Sequence, residues 1–208
     1  MKNLLEKYPL IPLALLCALY VYKAYGLPAH DFANYYFGGK FLAEGRFANW
    51  IYFPYEFNKA IAAESYKHIF ASYAPNTPFL ALFFLPFSFL PLAAAKLIFN
   101  IVSTGLFFYT LNRLVKFYRI PALYLCLVPI LFFVPIKNEL LFGQVYFLLF
   151  VLLGETWIAY RKNKKNKAAL YLSFAIMLKI FPILLLLAFL FRKKILLKSG
   201  SNLKFYLI

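Results

Sequence analysis

Long apolar segments separated by short basic runs dominate the chain. Four of these segments, residues 8–25, 92–112, 121–136 and 145–160, reach or approach the roughly 17 to 25 residues that a helix needs to cross a bilayer. They lack the alternation of polar and apolar residues that is typical of an outer-membrane barrel. The pattern therefore predicts an all-α protein, a polytopic transmembrane helical bundle.

Two further apolar segments are interrupted. Residues 78–91 are short and contain Pro86, which favours a re-entrant or interfacial helix. Residues 168–191 have basic residues on both flanks and carry Lys179 and Pro182 near their middle. A single straight crossing would place the two basic flanks on opposite sides of the membrane, although basic residues concentrate on the cytoplasmic side. We therefore expect a broken 168–191 hairpin with its apex at Lys179 to Pro182.

Composition and charge agree with a membrane protein. Hydrophobic residues make up 64% of the 208 residues, whereas soluble domains are nearer half apolar. The formal charge of +16 comes from short basic runs between apolar segments rather than from one continuous face, which argues against a nucleic-acid partner. We expect a multi-pass protein of the cell membrane, surrounded by membrane lipids.

The basic runs orient the segments, because lysine and arginine concentrate on the cytoplasmic side of short loops. Residues 26–77 differ, since four basic residues are balanced there by four acidic ones. This segment should be a large first outer loop, and Lys137 to Gln144 should form a second, tight outer turn. The basic clusters that mark the cytoplasmic side are Lys2 and Lys7; Arg113, Lys116 and Arg119; residues 161–167; and residues 192–198.

Three polar features meet on the outer side in this topology. They are Asp31, the single aspartate of the chain; Asn138 and Glu139 with Gln144; and Lys179 at the hairpin apex. A carboxylate at the mouth of a cavity can accept a proton from an incoming hydroxyl. A lysine at membrane depth can offset the charge of a phosphate. We take this constellation as the candidate site.

Structural interpretations stand beside the functional ones. Asp31 equally suits the N-cap of a helix over residues 32–44, and capping does not exclude catalysis. Glu139, taken alone, favours an ion pair with Lys137. Glu155, which lies close to Arg161, is expected to be a structural ion partner.

Aromatic residues crowd the first outer loop. A belt at the bilayer interface is the default interpretation, and stacking on sugar rings is the alternative. In the second case Tyr35 and Tyr36 would contact substrate. The aromatic residues concerned are Phe32, Tyr35, Tyr36, Phe37, Trp50, Tyr52, Phe53, Tyr55, Phe57, Tyr66 and Tyr73.

Metal and cofactor motifs give no comparable pattern. His30 and His68 lack the spacing of metal ligands. We find no phosphate-cradling glycine loop and no nucleophilic triad. We therefore expect no cofactor, and a divalent metal is not indicated.

Five sequence pieces in a fixed order along residues 29–192 point to a known family. This order resembles glycosyltransferase family 87, membrane mannosyltransferases of the GT-C class that use polyprenyl-phosphate mannose. The pieces are Asp31-Phe-Ala-Asn-Tyr-Tyr; Phe41-Leu-Ala-Glu-Gly; the proline-punctuated stretch from Tyr73 to Pro91; Gly143-Gln144-Val145; and Ala175-Ile-Met-Leu-Lys-Ile-Phe-Pro182.

The resemblance implies a GT-C-like bundle and an inverting transfer of a hexose, mannose in this family, from a polyprenyl-phosphate donor to a lipid or glycan acceptor. The reaction would take place on the non-cytoplasmic face. Asp31 matches the general base of the family, and Lys179 matches the motif lysine near the donor phosphate. A single base opposite the leaving phosphate suits inversion, which needs no second carboxylate as nucleophile. Asn138, Glu139 and Gln144 remain further candidates for substrate contacts.

The chain also departs from the family pattern. Tyr146 stands where an asparagine is usual, and the expected pair of prolines is spread out as Pro75 and Pro78. Family members are about twice as long, so we interpret residues 1–208 as a single membrane domain, the amino-terminal half of a longer module. That puts the activity of this chain alone in question. The alternatives are a small membrane transporter with its site in the broken hairpin, or a non-catalytic remnant that binds polyprenyl phosphate.

Overall fold

The computed structural model describes residues 8–187, and helices account for their regular structure, with no strand among them. The all-α prediction is confirmed. Short 3₁₀ segments occur at Asn49–Tyr52, Leu85–Phe89, Ala122–Leu127 and Phe181–Ile183. The α-helices are α1 (Ile11–Tyr25), α2 (Asp31–Ala43), α3 (Pro54–Ala63), α4 (Pro78–Phe84), α5 (Leu92–Tyr118), α6 (Val128–Leu131), α7 (Phe133–Phe142), α8 (Tyr146–Arg161) and α9 (Lys165–Leu178).

Membrane-length helices are fewer than the apolar segments. Within residues 8–187, α5 alone is long and apolar enough to cross a bilayer as one helix, with 27 residues. It begins where the predicted 92–112 span begins and runs on to Tyr118. The segments Ala122–Leu131 and Phe133–Phe142 together would qualify, but they bend by 69°. The other predicted crossings remain predictions.

The segment predicted to cross over 121–136 is bent, and the tight outer turn predicted over 137–144 is wrong. The segment breaks at Phe132, and α7 then continues to Phe142. Pro129 and Pro135 lie in the first turns of α6 and α7, where a missing N–H is tolerated, so the prolines divide the segment into short helices. The true turn is confined to Gly143–Val145.

Both predicted helix interruptions are observed. α4 ends just before the 3₁₀ segment that contains Pro86. α9 ends at Leu178, and Lys179 is extended, with φ −145° and ψ 138°. Pro182 has no N–H to continue an α-helical ladder, which accounts for the break. The last four residues of the predicted 168–191 hairpin lie outside the described residues.

Residues 26–77, which the sequence predicts to be the first outer loop, form a folded layer. Its aromatic side chains pack into one core between α2, α3 and α4, and the interface-belt interpretation is wrong for these buried rings. Edge-to-face contacts between these rings stabilise the core, and each ring also buries a large apolar area. Tyr55, at 77% exposure, remains on the surface. The fully or almost fully buried aromatic residues of the layer are Phe32, Tyr35, Tyr36, Phe37, Phe41, Phe57, Tyr73 and Phe84.

Two local features hold the layer together. α2 approaches α4 closely because Gly39 has no side chain; a Cβ there would lie 2.8 Å from the Phe84 backbone. Ion pairs bind α2 to the chain beyond α3, since the Glu64 carboxylate accepts from Lys40 at 2.6 Å and from Arg46 at 2.8 Å. The balanced charge of this segment is thus partly realised as ion pairs.

A second core joins α1, α5, α7 and α8. The rings of Phe107 in α5 and Phe147 in α8 stack with their centroids 4.3 Å apart. Farther along the same two helices, the Glu155 carboxylate pairs with Arg113. Glu155 is therefore a structural ion partner as predicted, but its partner is not Arg161. Residues six apart on one helix point to different sides, whereas Arg113 faces Glu155 across the helix pair.

Candidate functional site

Asp31 is the first residue of α2, and its half-buried carboxylate faces another segment of the chain. Gln144 Nε2 donates a hydrogen bond to Asp31 Oδ2 at 2.6 Å. The N-cap position belongs to His30, so the N-cap interpretation of Asp31 is wrong. The helix begins one residue earlier than the capping interpretation requires, and this leaves the carboxylate free to contact Gln144.

The turn before Asp31 is strained. His30 has φ 46° and ψ −129°, a conformation that favours glycine. Such a residue costs on the order of 1–3 kcal/mol and persists only when its surroundings hold it. The His30 ring packs edge-on against Phe142, with centroids 5.0 Å apart. Sequence reasoning missed this feature, because a backbone conformation leaves no trace in the residue pattern.

The Gly143–Gln144 turn reaches Asp31 by close contact with α2. Gly143 has φ 67°, and a Cβ on it would lie 2.7 Å from Phe32 Cβ. Only glycine meets both conditions without strain. The structure thus brings Gln144 to Asp31, as expected from the sequence, while the roles of both residues remain a proposal.

Glu139 has a contact that the sequence did not predict. Its carboxylate is 4% exposed and accepts from the backbone N–H of Phe147 at 2.8 Å and of Tyr146 at 3.3 Å. These N–H groups open α8 and have no partner within that helix. The proposed ion pair with Lys137 is wrong, since residues two apart on α7 do not face each other. Glu139 joins α7 to the start of α8.

Lys179 follows the end of α9 and lies beside Tyr35. Its ammonium group donates to Asn76 Oδ1 at 2.7 Å and lies 5.8 Å from the centroid of the Tyr35 ring. Tyr35 stands one helical turn after Asp31 on α2. The structure therefore gathers both candidates around Tyr35.

The two tyrosines of α2 differ in position. Burial raises the pKa of the Tyr35 hydroxyl well above its usual range, and the charges of Asp31 and Glu139 raise it further, so Tyr35 keeps its proton. The Tyr36 hydroxyl donates to the Leu90 carbonyl at 2.8 Å. Contact of Tyr36 with substrate stays a prediction.

Asn76 joins the site although sequence reasoning did not select it. It is 5% exposed, and its Nδ2 has no hydrogen-bond partner among the described residues. Its Oδ1 is fixed by Lys179, so the free group is a donor. The neighbouring Thr77 hydroxyl donates to the Met177 carbonyl, which ties this loop to the end of α9. The sequence feature that could have indicated Asn76 is its position between Pro75 and Pro78.

An apolar cavity of about 450 Å³ opens beside Gln144. Asn138, Glu139, Gln144 and Tyr146 form its polar part, so Asn138 belongs to the site through this wall. The remaining lining is apolar and comes from Phe107, Leu111, Val128, Phe132, Pro135, Ile136, Phe147 and Phe150. A long apolar chain with a polar head matches this lining.

Metal ligands do not cluster in this region. Among residues 8–187, no group of three histidine, cysteine, aspartate or glutamate side chains is placed to hold a metal ion. The charged groups of the site are thus the carboxylates of Asp31 and Glu139 and the ammonium of Lys179.

The described residues thus form an all-helical protein with one helix of membrane length and with a carboxylate and a lysine around one tyrosine. The family model of glycosyltransferase family 87 matches residues 74–196, and the chain belongs to this family of membrane glycosyltransferases. The matched region contains Asn138, Glu139, Gln144 and Lys179, whereas Asp31 precedes it. No match to the chain was found among curated proteins or among solved structures.

Proposed function

We propose that the protein transfers a hexose, mannose in the first instance, from a polyprenyl-phosphate donor to a hydroxyl of a lipid or glycan acceptor, with inversion. Family membership supports sugar transfer in general. The observation that carries the finer proposal is the Asp31–Gln144 contact beside Lys179, because it supplies a base and a phosphate-binding cation in one place. The reaction would take place on the non-cytoplasmic face of the cell membrane.

The fold around this site would be a polytopic, GT-C-like bundle. In this proposal residues 1–208 form a single membrane domain, residues 26–77 are its outer loop, and the apolar helices cross or enter the bilayer. α5 supports this by its length, and the breaks at Phe132 and Lys179 supply irregular backbone beside the site. Such backbone is tolerated at membrane depth where it lines a cavity or is buried in protein.

Asp31 would act as the general base. Gln144 holds Oδ2, and Oδ1 takes the proton of the acceptor hydroxyl as its oxygen attacks the anomeric carbon of the donor sugar. The bond between that carbon and the phosphate oxygen breaks, and its electron pair leaves with the polyprenyl phosphate. One displacement inverts the anomeric centre and needs no covalent intermediate.

Lys179 and Asn76 would receive the phosphate. The Lys179 ammonium offsets the charge that develops on the leaving oxygen. The unpartnered Nδ2 of Asn76 offers a second donor beside it, and a phosphoryl oxygen would relieve the cost of leaving that donor buried and unpaired. Tyr35 keeps its proton and can contact the sugar between the base and the phosphate.

The cavity beside Gln144 supports a lipid substrate. Its polar wall of Asn138, Glu139 and Gln144 lies next to Asp31, and its apolar lining extends away between α5, α6, α7 and α8. A chain of isoprene or acyl units would bury apolar area there at roughly 25 cal/mol per Å². Asn138 and Gln144 would then contact the polar head.

The test uses membranes that contain the full chain, incubated with polyprenyl-phosphate [³H]mannose and a lipid extract as acceptor. We expect labelled product of inverted configuration from the unmodified chain. Asp31→Asn should lower the rate by about 10²-fold or more, since a base of this kind contributes that much. Glu56→Gln, an exposed acid of the same outer loop, is the matched control and should leave the rate unchanged.

Three results would overturn parts of the proposal. Full turnover by the Asp31→Asn chain would remove Asp31 as the base. Transfer from a nucleotide sugar, with none from the lipid-linked donor, would exclude polyprenyl phosphate. Membranes with inserted chain but no transfer from any lipid-linked hexose would show that these residues alone do not catalyse the reaction.

A further inference from the structure

Lys96 is a buried cation that the site described above does not use. It lies in α5, is 3% exposed, and donates to the Pro28 carbonyl at 3.0 Å and to the Leu141 carbonyl at 2.8 Å. Within the described part of the chain, no carboxylate lies at ion-pair distance from it. Burying an ammonium group costs free energy unless the environment compensates its charge. The buried position of Lys96 therefore requires an explanation.

The two carbonyl groups that accept from Lys96 occupy equivalent positions in their segments. Pro28 precedes Asp31 by three residues, and Leu141 precedes Gln144 by three residues. Lys96 thus holds the two segments whose side chains meet in the Asp31–Gln144 hydrogen bond. The ammonium lies between the segments as a common donor, at one fixed point on α5.

The Leu141 side of this contact is reinforced. Asn100, one helical turn after Lys96, donates to the Leu140 carbonyl at 2.9 Å. Both carbonyls belong to the last turn of α7, where backbone acceptors have no partner within the helix and carry partial negative charge. α5 therefore supports the end of α7 with a cation and an amide.

The Pro28 side carries strain. His30, with its positive φ, lies between the anchored Pro28 carbonyl and Asp31. A backbone conformation of this kind persists only when its neighbours fix it. The Lys96–Pro28 hydrogen bond fixes one end of the strained turn, and α2 fixes the other.

We infer that Lys96 is a positioning residue that holds the carboxylate of Asp31 against Gln144 by clamping the Pro28 and Leu141 carbonyls together. The inference rests on the proposed function for the catalytic part of its consequence. Lys96 touches neither Lys179 nor Asn76, so its loss should disturb the base and leave the phosphate contacts in place. A small displacement of a catalytic group lowers the chemical rate more than substrate binding.

The structural arm of the test is chemical cross-linking in the full chain. Cys17 and Cys126 are replaced by alanine, and Asp31→Cys with Gln144→Cys reports the distance between the two segments with a short bifunctional methanethiosulfonate. Lys96→Met removes the donor at similar volume and should slow cross-linking about tenfold or more. Lys96→Arg keeps the charge and the donors, and it should restore most of the rate.

A second cysteine pair separates a local clamp from general misfolding. Lys40→Cys with Glu64→Cys, at positions of comparable exposure, reports whether α2 still packs in its layer. We expect Lys96→Met to leave this pair unchanged. Equal loss of both cross-links, or an unaltered 31–144 cross-link, would overturn the inference.

The catalytic arm measures transfer in membranes. Lys96→Met should lower kcat about tenfold or more with KM for the lipid-linked donor within about twofold, and Lys96→Arg should recover kcat. An unchanged kcat, despite loss of the 31–144 cross-link, would overturn the positioning role. If the unmodified chain transfers no sugar, the proposed function fails, and the cross-linking alone decides whether Lys96 clamps the two segments.

Discussion

Gln144 Nε2 donates to Asp31 Oδ2 at 2.6 Å, and this contact joins residues 113 positions apart in the chain. It orients one carboxylate oxygen, and in our proposal the other accepts the proton of the acceptor hydroxyl. The contact also joins the start of α2 to the turn that follows α7. In our proposal Gln144 therefore orients the base as well as contacting the polar head of the lipid.

Gln144→Leu tests that relationship. The leucine has similar volume but no donor, so the Asp31 carboxylate loses its orientation while the turn keeps its packing. We expect kcat for sugar transfer to fall by roughly tenfold, with a smaller change in KM. Steady-state kinetics in membranes measures both. A rise in KM of roughly tenfold with unchanged kcat would instead assign Gln144 to ground-state binding.

Gly143→Ala should destabilise the protein by about 2 kcal/mol or more, because alanine disfavours the positive φ and its Cβ would strike Phe32. Gly105→Ala is the matched control: apart from its chain neighbours and the adjoining helix backbone, no heavy atom lies within 4 Å of the added Cβ, and Gly105 lies inside α5. It should leave stability unchanged or raise it by about 0.5–1 kcal/mol. Thermal unfolding in detergent compares the two, and similar losses would contradict the predicted clash.

Glu139→Ala should lower the free energy of unfolding by about 1–3 kcal/mol, since it leaves the N–H groups of Tyr146 and Phe147 without their acceptor, and the Phe147 group is buried. Glu139→Gln keeps one acceptor oxygen, so its free energy of unfolding should lie between those of the unmodified chain and Glu139→Ala. Thermal unfolding measures this order. A Glu139→Gln protein that is stable but inactive would give Glu139 a catalytic role beyond helix capping.

Glu64 predicts a pH dependence of stability. Hydrogen bonds from Lys40 and Arg46 hold the pKa of Glu64 below its ordinary value of 4.5. A lowered pKa in the folded state means that the stabilisation is complete above 4.5 and is lost as pH falls through the folded value. Melting temperatures should therefore fall below pH 4.5 more steeply for the unmodified chain than for Glu64→Gln. High salt should reduce the difference, because the pairs are partly exposed.

Local sequence determined much of the secondary structure. The apolar run that begins at Leu92 predicted α5, and Pro86 and Pro182 predicted two interruptions that the structure shows. These features depend on hydrophobic length and on the missing N–H of proline, which act within a few residues. The same logic failed near Phe132, where Pro129 and Pro135 divided a predicted span.

The candidate site was only partly visible in the sequence. Asp31 stood out as the single aspartate and Lys179 as a cation in an apolar segment, and the structure places them around Tyr35. Asn76 and Lys96 did not stand out. Each is one polar residue among many until packing buries it and selects its partners.

The sequence by itself determined that the chain is helical, apolar, and equipped with an isolated carboxylate and lysine. Tertiary structure alone decided that Gln144 holds Asp31, that Glu139 caps α8, and that the aromatic residues of the first loop form a core. Helical periodicity and proline chemistry are local, whereas these contacts join distant parts of the chain. Their formation depends on how whole helices pack, and one segment carries no record of the surface it will meet.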